Sequence, residues 1–163
     1  MGSDRKRYSK LRKVSTMDDI NFTYHSDFSG CALRPEELEL GQIYDWKTVN
    51  QIHRTHCGIY HKNGQLISLL TDFGKINPCY QDSYSDPKQI KYTGSGRRGN
   101  QKLDAANQAL LSAKRQKRTV PLFQKIGVNR WRFLGQWAVV SAKYTFDGAT
   151  DRMVWRFTLV RKK

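Results

Sequence analysis

Trp131-Arg-Phe-Leu-Gly-Gln-Trp-Ala-Val-Val-Ser-Ala-Lys-Tyr144 and, after a short break, Met153-Val-Trp-Arg-Phe-Thr-Leu159 are the stretches that decide the fold. In the first, Trp131, Phe133, Trp137 and Val139 fall on one parity; in the second, Met153, Trp155, Phe157 and Leu159 do. Side chains alternate across a strand, so a period of two with large apolar residues predicts two long strands, each with a buried face. Asp147-Gly148 between them supplies turn chemistry and predicts an antiparallel hairpin.

Working back toward the N-terminus, Val120 to Ile126 predicts a further strand, with Pro121 marking its start or an edge. Asn100 to Lys114 predicts a helix, because Leu103, Ala106, Leu110 and Ala113 recur at helical spacing. The bases from Lys114 to Arg118 complement the helix dipole at its C-terminal end; binding phosphate is the functional alternative. Gln89 to Thr93 predicts a strand stopped by Gly94-Ser95-Gly96. Asp72 to Lys88 reads as a long polar loop carrying Tyr80 and Tyr84. Leu66 to Leu70 is a continuous apolar run that suits a fully buried strand, and Asn63-Gly64 joins it to a short strand at Gly58-Ile59-Tyr60. Trp46 to Arg54 predicts a short helix with Val49 and Ile52 inward. The sum is an α+β, mostly β chain: a curled sheet or barrel with one or two helices packed on it. Neither a repeat nor a second domain is visible.

The 163 residues are sufficient for one domain. Aromatic residues make up 12%, too many for a fully disordered chain. No apolar run approaches the roughly 18 residues of a membrane span. The polar, basic N-terminus lacks a signal peptide's apolar stretch. The expected organisation is a basic arm at 1–16, an acidic irregular strap at 17–40 holding Phe22, Tyr24 and Phe28, and an ordered domain at 41–163. Lys and Arg number 29 against 14 acids, a net +15, and the balance is uneven. Residues 14–50 carry −5, whereas residues 91–163 carry +14. So basic a C-terminal half predicts a polyanionic partner, nucleic acid before an anionic membrane surface.

Catalytic constellations are missing from the sequence. There is no Gly-x-Ser-x-Gly elbow, Walker loop or His-Glu-x-x-His, and Gly94-Ser95-Gly96 lacks the third glycine of a dinucleotide loop. Asp86-Pro87-Lys88 has the Asp-x-Lys spacing of some metal nucleases but no partner carboxylate. His53, His56, Cys57 and Cys79 could surround zinc, yet no Cys-x-x-Cys pair accompanies them. Three cysteines, Cys31, Cys57 and Cys79, form no even disulfide framework and suit a reducing compartment. The reading is a binding module without cofactor or metal, not an enzyme. For such a module the 80–93 region is informative. Tyr80 and Tyr92 offer aromatic faces for a base, Asp82 can accept from an exocyclic amine such as cytosine N4, and Thr93 follows on the strand. Arg97, Arg98 and Lys102 come next, placed for phosphates. The bland alternative makes these tyrosines caps on a core.

Several motifs in order carry a family resemblance. They are His53-Arg54-Thr55-His56 before Gly58-Ile59, Tyr80-Gln81-Asp82, Tyr92-Thr93-Gly94-Ser95-Gly96, Gln101-Lys102-Leu103 with Asn107-Gln108-Ala109-Leu110, Val154-Trp155-Arg156-Phe157, and Arg161. From about Gly41 to Arg161 the chain resembles the SET-and-RING-associated (SRA, or YDG) domain, a reader of modified cytosine in the PUA-like superfamily. The resemblance implies a PUA-like curled β-barrel that binds duplex DNA and flips the modified base into a pocket. It implies that Tyr80 and Tyr92 sandwich the base, that Asp82 accepts from N4 and that Thr93 helps at the Watson–Crick edge. It further implies that His53, Arg54, His56 and Cys57 approach the duplex where the base has left, with Ser95, Arg97, Arg98 and Lys102 on the backbone.

There are departures. The family's second loop acid falls on Ser83, so Asp82 and Ser83 are alternative anchors. Its Tyr-Asp-Gly stands as Phe133-Leu134-Gly135, and only Arg97-Arg98-Gly99-Asn100 separates Gly96 from Gln101, where hemimethyl readers carry a longer finger. The expected ligand is duplex DNA with 5-methylcytosine, bound by a monomer, in the nucleus of a eukaryote or the nucleoid of a bacterium. The alternatives are hydroxymethylcytosine, a phosphorothioate backbone, the targeting module of a modification-dependent restriction system with a separate effector, or PUA-like RNA binding.

Overall fold

The computed structural model describes residues 32–163; the expected arm at 1–16 and most of the strap, Cys31 included, lie outside the described residues. Among the described residues, eight strands form one sheet: β1 (Ile43–Tyr44), β2 (Ile59–Lys62), β3 (Gln65–Thr71), β4 (Ser83–Asp86), β5 (Gln89–Thr93), β6 (Thr119–Gly127), β7 (Arg130–Asp147) and β8 (Arg152–Lys162). Their order is β2-β3-β6-β7-β8-β5-β4, with β1 added to β7. Two helices accompany them, α1 (Trp46–Val49) and α2 (Ala105–Gln116). The mostly β architecture with helices packed on it is as expected, but the sheet does not close into a barrel, because β2 and β4 stand at opposite ends of the pairing path.

The hairpin of the two long stretches is the spine. Trp137 pairs with Arg161, Val139 with Leu159 and Tyr144 with Trp155. Asn63 (φ 52°) and Gly64 (φ 74°) take the positive φ that a two-residue hairpin turn requires, and they link β2 to β3. β3 and β6 run parallel, with Leu69 beside Leu122 and Leu70 beside Phe123. A continuous apolar run is what a strand buried on both faces needs. Leu69 and Leu122 enter one core with Leu110 of α2, Trp137 and Phe157, whereas Leu70 and Phe123 enter a second with Leu33, Leu38, Tyr44, Val49 and Phe133. One face of the sheet is therefore covered by α2 and the other by residues 33–52.

Four local differences from expectation have physical causes. α2 begins at Ala105 because the Asp104 carboxylate accepts from Asn107 N at 2.9 Å, an N-cap. The preceding Gln101 is held extended by its own N–H on Met153 O, which leaves Leu103 outside the helix and 48% exposed. α1 is only four residues, ended at Asn50. The 72–88 loop contains the exposed strand β4, paired to β5. Pro121 lies in an internal strand, one residue before the parallel pairing to β3 begins and at a register shift opposite β7, so its missing N–H interrupts no regular ladder.

Candidate nucleic-acid interface

A solvent-open cavity of about 800 Å³ lies where β5, the 72–82 loop and the turn before β2 converge. Tyr80, Asp82, Tyr92, Thr93, Ser95 and Arg97 line it, as do His56 and Cys57. Sequence positions as far apart as His56 and Arg97 are thus brought to one wall. Trp46, Lys125 and Trp131 form a further wall that sequence reasoning did not assign. There His56 stacks on Trp46 at 5.0 Å, Trp131 lies 5.2 Å from Trp46, and Lys125 Nζ sits 5.6 Å over the Trp131 ring.

Asp82 is the anchor of the polar side. Its Oδ1 accepts from Thr93 N at 2.7 Å and its Oδ2 from Thr71 Oγ1 at 2.7 Å. Burial pushes its carboxyl up to about 6, against the pull of the Thr71 and Thr93 hydrogen bonds. A carboxylate oxygen has two lone pairs, so each can still accept a hydrogen bond from a ligand amine. Ser83, the alternative anchor, is exposed at the start of β4 and does not line the cavity. All four residues of β4 are exposed, and Ser83 opens that strand.

The two tyrosines differ. Tyr80 is half-buried, and burial raises its hydroxyl above the ordinary 10. Tyr92 is 3% exposed and belongs to the first core while its ring also lines the cavity. Its hydroxyl is directed at Gly58 O (3.0 Å) and Leu70 O (2.9 Å), and burial drives it well above its ordinary value. Tyr92 therefore serves both the packing and the cavity wall. Thr93 Oγ1 receives Arg156 Nη1, which also donates to Gln81 O at 3.0 Å, while Arg156 Nη2 pairs with Asp147 at 3.3 Å. Arg156 thus pins the loop segment before Asp82 to β5.

His53 is not an interface residue. It is fully buried, with Nε2 2.6 Å from Cys57 O and Nδ1 2.8 Å from Ser68 Oγ. A carbonyl only accepts, so Nε2 carries the proton and Nδ1 accepts from Ser68. Burial, aided by His56, lowers its pKa to about 4, and the neutral ring fastens the 53–57 turn. Arg54 points elsewhere, its Nε donating to Gln51 O at 3.3 Å. Arg98 and Lys102 are exposed outside the cavity, whereas Arg97 stands at it. The Gly94 to Gly96 turn is held from α2 and from Gln101 in the segment before it. Asn107 accepts from Ser95 N and donates to Ser95 O, and Gln101 donates to Gly94 O at 2.7 Å. A Cβ at Gly94 would collide with Asn107 Oδ1 and lie 2.8 Å from Trp155 Cβ, so only glycine fits.

Arg152, Arg156 and Thr71 are the site-building residues that sequence reasoning missed. The available signal was weak: Arg152 and Arg156 share the parity opposite Trp155 and Phe157, which ordinarily marks a solvated face.

The mixed sheet, its flanking helix α2 and the Tyr-Thr-Gly-Ser-Gly end of β5 thus meet at one solvent-open cavity. The chain belongs to the ScoMcrA-like SRA domain family, whose profile matches residues 41–161. No curated protein matches it. Among solved structures it is similar to the SUVH5 SRA domain in complex with hemimethylated CG DNA, with a TM-score of 0.66, 23% identity, 77% of this chain covered and 89% of that chain. It is also similar to the same domain bound to fully hydroxymethylated CG DNA, at 0.64, 22%, 79% and 92%. The modification-dependent TagI restriction endonuclease matches at 0.65 and 20% identity over 79% of this chain, which spans 51% of that one.

Proposed function

We propose that this chain is a reader of modified cytosine in duplex DNA that takes the flipped base into the cavity between Tyr80 and Tyr92. The observation that carries the reading is Asp82: a buried carboxylate oriented by Thr71 and Thr93, lining a cavity with two tyrosines, in a chain of the SRA family. Asp82 accepts from the exocyclic N4 amine, the tyrosine rings stack on the base, and Arg97 meets a phosphate at the mouth. Flipping costs a few kcal/mol, and each aromatic stack returns about 1–3 kcal/mol. A single added methyl is worth only about 0.8 kcal/mol, so the shape of the pocket must supply the rest of the discrimination. 5-Methylcytosine is the mark proposed; hydroxymethylcytosine is the second reading, favoured by the roomy, partly polar cavity and by the hydroxymethylated DNA of one neighbour. The role proposed for residues 41–161 is recognition of the mark.

One binding panel tests this: matched duplexes with cytosine, methylcytosine, hydroxymethylcytosine or a phosphorothioate linkage, with RNA as control. Preference for a modified cytosine is expected. Equal affinity for all duplexes, or tighter binding to RNA, overturns the reading.

A further inference from the structure

Arg152 opens β8, is 5% exposed, and has an unusual set of partners. Its Nη2 donates to Cys79 O at 2.7 Å; its Nη1 donates to Gly96 O at 2.6 Å and Gly99 O at 3.3 Å; its Nε reaches Thr150 Oγ1 at 3.3 Å. These four acceptors are neutral, and three are main-chain carbonyls. They come from two separate loops. Cys79 immediately precedes Tyr80 on the loop that presents Asp82; Gly96 and Gly99 flank Arg97 and Arg98.

Burying a guanidinium is costly, and an apolar side chain of similar length would fill the same space without that cost. What the apolar chain cannot do is bridge. The planar fork has donors in fixed directions, so carbonyls on two loops are held at one separation. We propose that Arg152 is a positioning residue that locks the base-facing loop to the phosphate-facing loop, so that gripping the backbone at Arg97 places Tyr80 and Asp82 for the base. The proposal rests on the base-reading function proposed above. It names Arg152 as the residue through which backbone contact and mark recognition are coupled. Without the bridge each loop keeps its own support. Gln101 and Asn107 still hold 94–96, and Arg156 still holds Gln81. Nonspecific grip therefore survives while the two contacts cease to reinforce each other, as linked sites do when their geometry is released.

The test uses the full chain with Arg152→Lys, which keeps the charge but loses the fork, and Thr150→Val, which removes the acceptor of Arg152 Nε together with the Thr150 hydroxyl's bond to Asp147 and is the fallback if the first variant does not fold. Thermal melting establishes folding. Binding is then measured on methylated and unmethylated duplexes across a salt series. For Arg152→Lys the expected result is a methyl preference reduced about tenfold, a coupling of ordinary size, with the loss falling mainly on the methylated duplex and the salt slope unchanged because the charge is kept. Thr150→Val should give a smaller loss in the same direction. A folded variant with undiminished preference overturns the coupling, and so does an equal loss on both duplexes, which would make Arg152 a simple source of charge. If the unaltered chain itself shows no preference, the base-reading function has failed first, and the outcome is distinguishable from a failure of the bridge.

Discussion

At Asp82 and His53, burial acts on two titratable groups with opposite consequences. The Asp82 carboxyl rises from 3.8 to about 6, so the folded state holds its proton more tightly than the unfolded chain. Its contribution to stability is greatest below 3.8 and is lost as pH rises through 6. His53 falls from 6.5 to about 4, so the unfolded chain binds the proton more tightly, and stability is full above 6.5 and lost as pH falls toward 4. Each effect is on the order of 3 kcal/mol at most, and between about pH 4 and 6 they oppose. Asp82→Asn removes one arm while retaining an acceptor for Thr93 N. Its melting temperature should therefore equal or exceed that of the unaltered chain at pH 8, and should fall more steeply on acidification below pH 6.5. The same variant should lose the preference for modified cytosine, worth about 1–3 kcal/mol for a base-edge hydrogen bond. In the unaltered chain that preference should decline below about pH 6 as the carboxylate is protonated. Parallel melting profiles for the two proteins would contradict this account of Asp82.

The two tyrosines separate by the same reasoning. Tyr92→Phe leaves the Gly58 and Leu70 carbonyls without their hydroxyl donor, so it should cost about 1–2 kcal/mol of stability yet keep the ring and most of the mark preference. Tyr80→Ala, at a half-buried loop position, should leave stability nearly unchanged and weaken binding of the modified duplex by about 1–3 kcal/mol. Chemical denaturation and titration of both duplexes check the pair. The reverse pattern would make Tyr92 the principal face and Tyr80 a core cap.

Among the elements, the Gly94 to Gly96 turn shows how tightly β5, α2 and β8 are bound together. Gly94→Ala should destabilise by about 1–3 kcal/mol or more, since its Cβ meets the Asn107 amide and the Trp155 side chain, neither free to retreat. Denaturant titration reads this directly, and a neutral result would mean that the turn can shift. The strands were legible because their apolar residues recur with period two, as in Phe133, Trp137 and Val139, or run without break, as in Leu66 to Leu70. The cavity-lining group was partly legible, because Tyr80, Asp82, Tyr92 and Thr93 lie close together in the chain. The supports were not. Arg152 and Arg156 act by donating to main-chain carbonyls, and a carbonyl acceptor leaves no trace in residue type. His53 misled in the opposite direction: its neighbours Arg54 and His56 look like a basic approach to DNA, but Ser68 and the Cys57 carbonyl draw its ring inward. Closure of the sheet was likewise illegible, since strand periodicity specifies which face is buried and says nothing about whether β2 meets β4.

For the whole molecule the governing quantity is charge, and the +14 of residues 91–163 has to be set against the cavity lined by Tyr80, Asp82 and Tyr92. Phosphate contacts position a protein on DNA without specifying sequence, so Arg97 and Arg98 replaced together by Ala should weaken modified and unmodified duplexes alike. If about five phosphates are engaged, log affinity against log salt should slope near −4 to −5, and a slope near zero would remove the electrostatic argument. The mark itself adds nothing to that slope, because a methyl is neutral. Mark preference should consequently persist as salt rises while total affinity falls, which separates the pocket from the surface in a single titration series. Flipping gives the complementary signature. A base that leaves the stack exposes its neighbours, so 2-aminopurine beside the modified cytosine should brighten when the protein is added. A target placed opposite a mismatch should bind more tightly, because part of the unstacking cost is already met. Tyr80→Ala should diminish the brightening without altering the salt slope, since stacking and phosphate contact are separate terms. Tight, salt-dependent binding with preference for the modified duplex but no fluorescence change would place the recognition in the groove of an intact helix, and the cavity between Tyr80 and Tyr92 would then need another ligand.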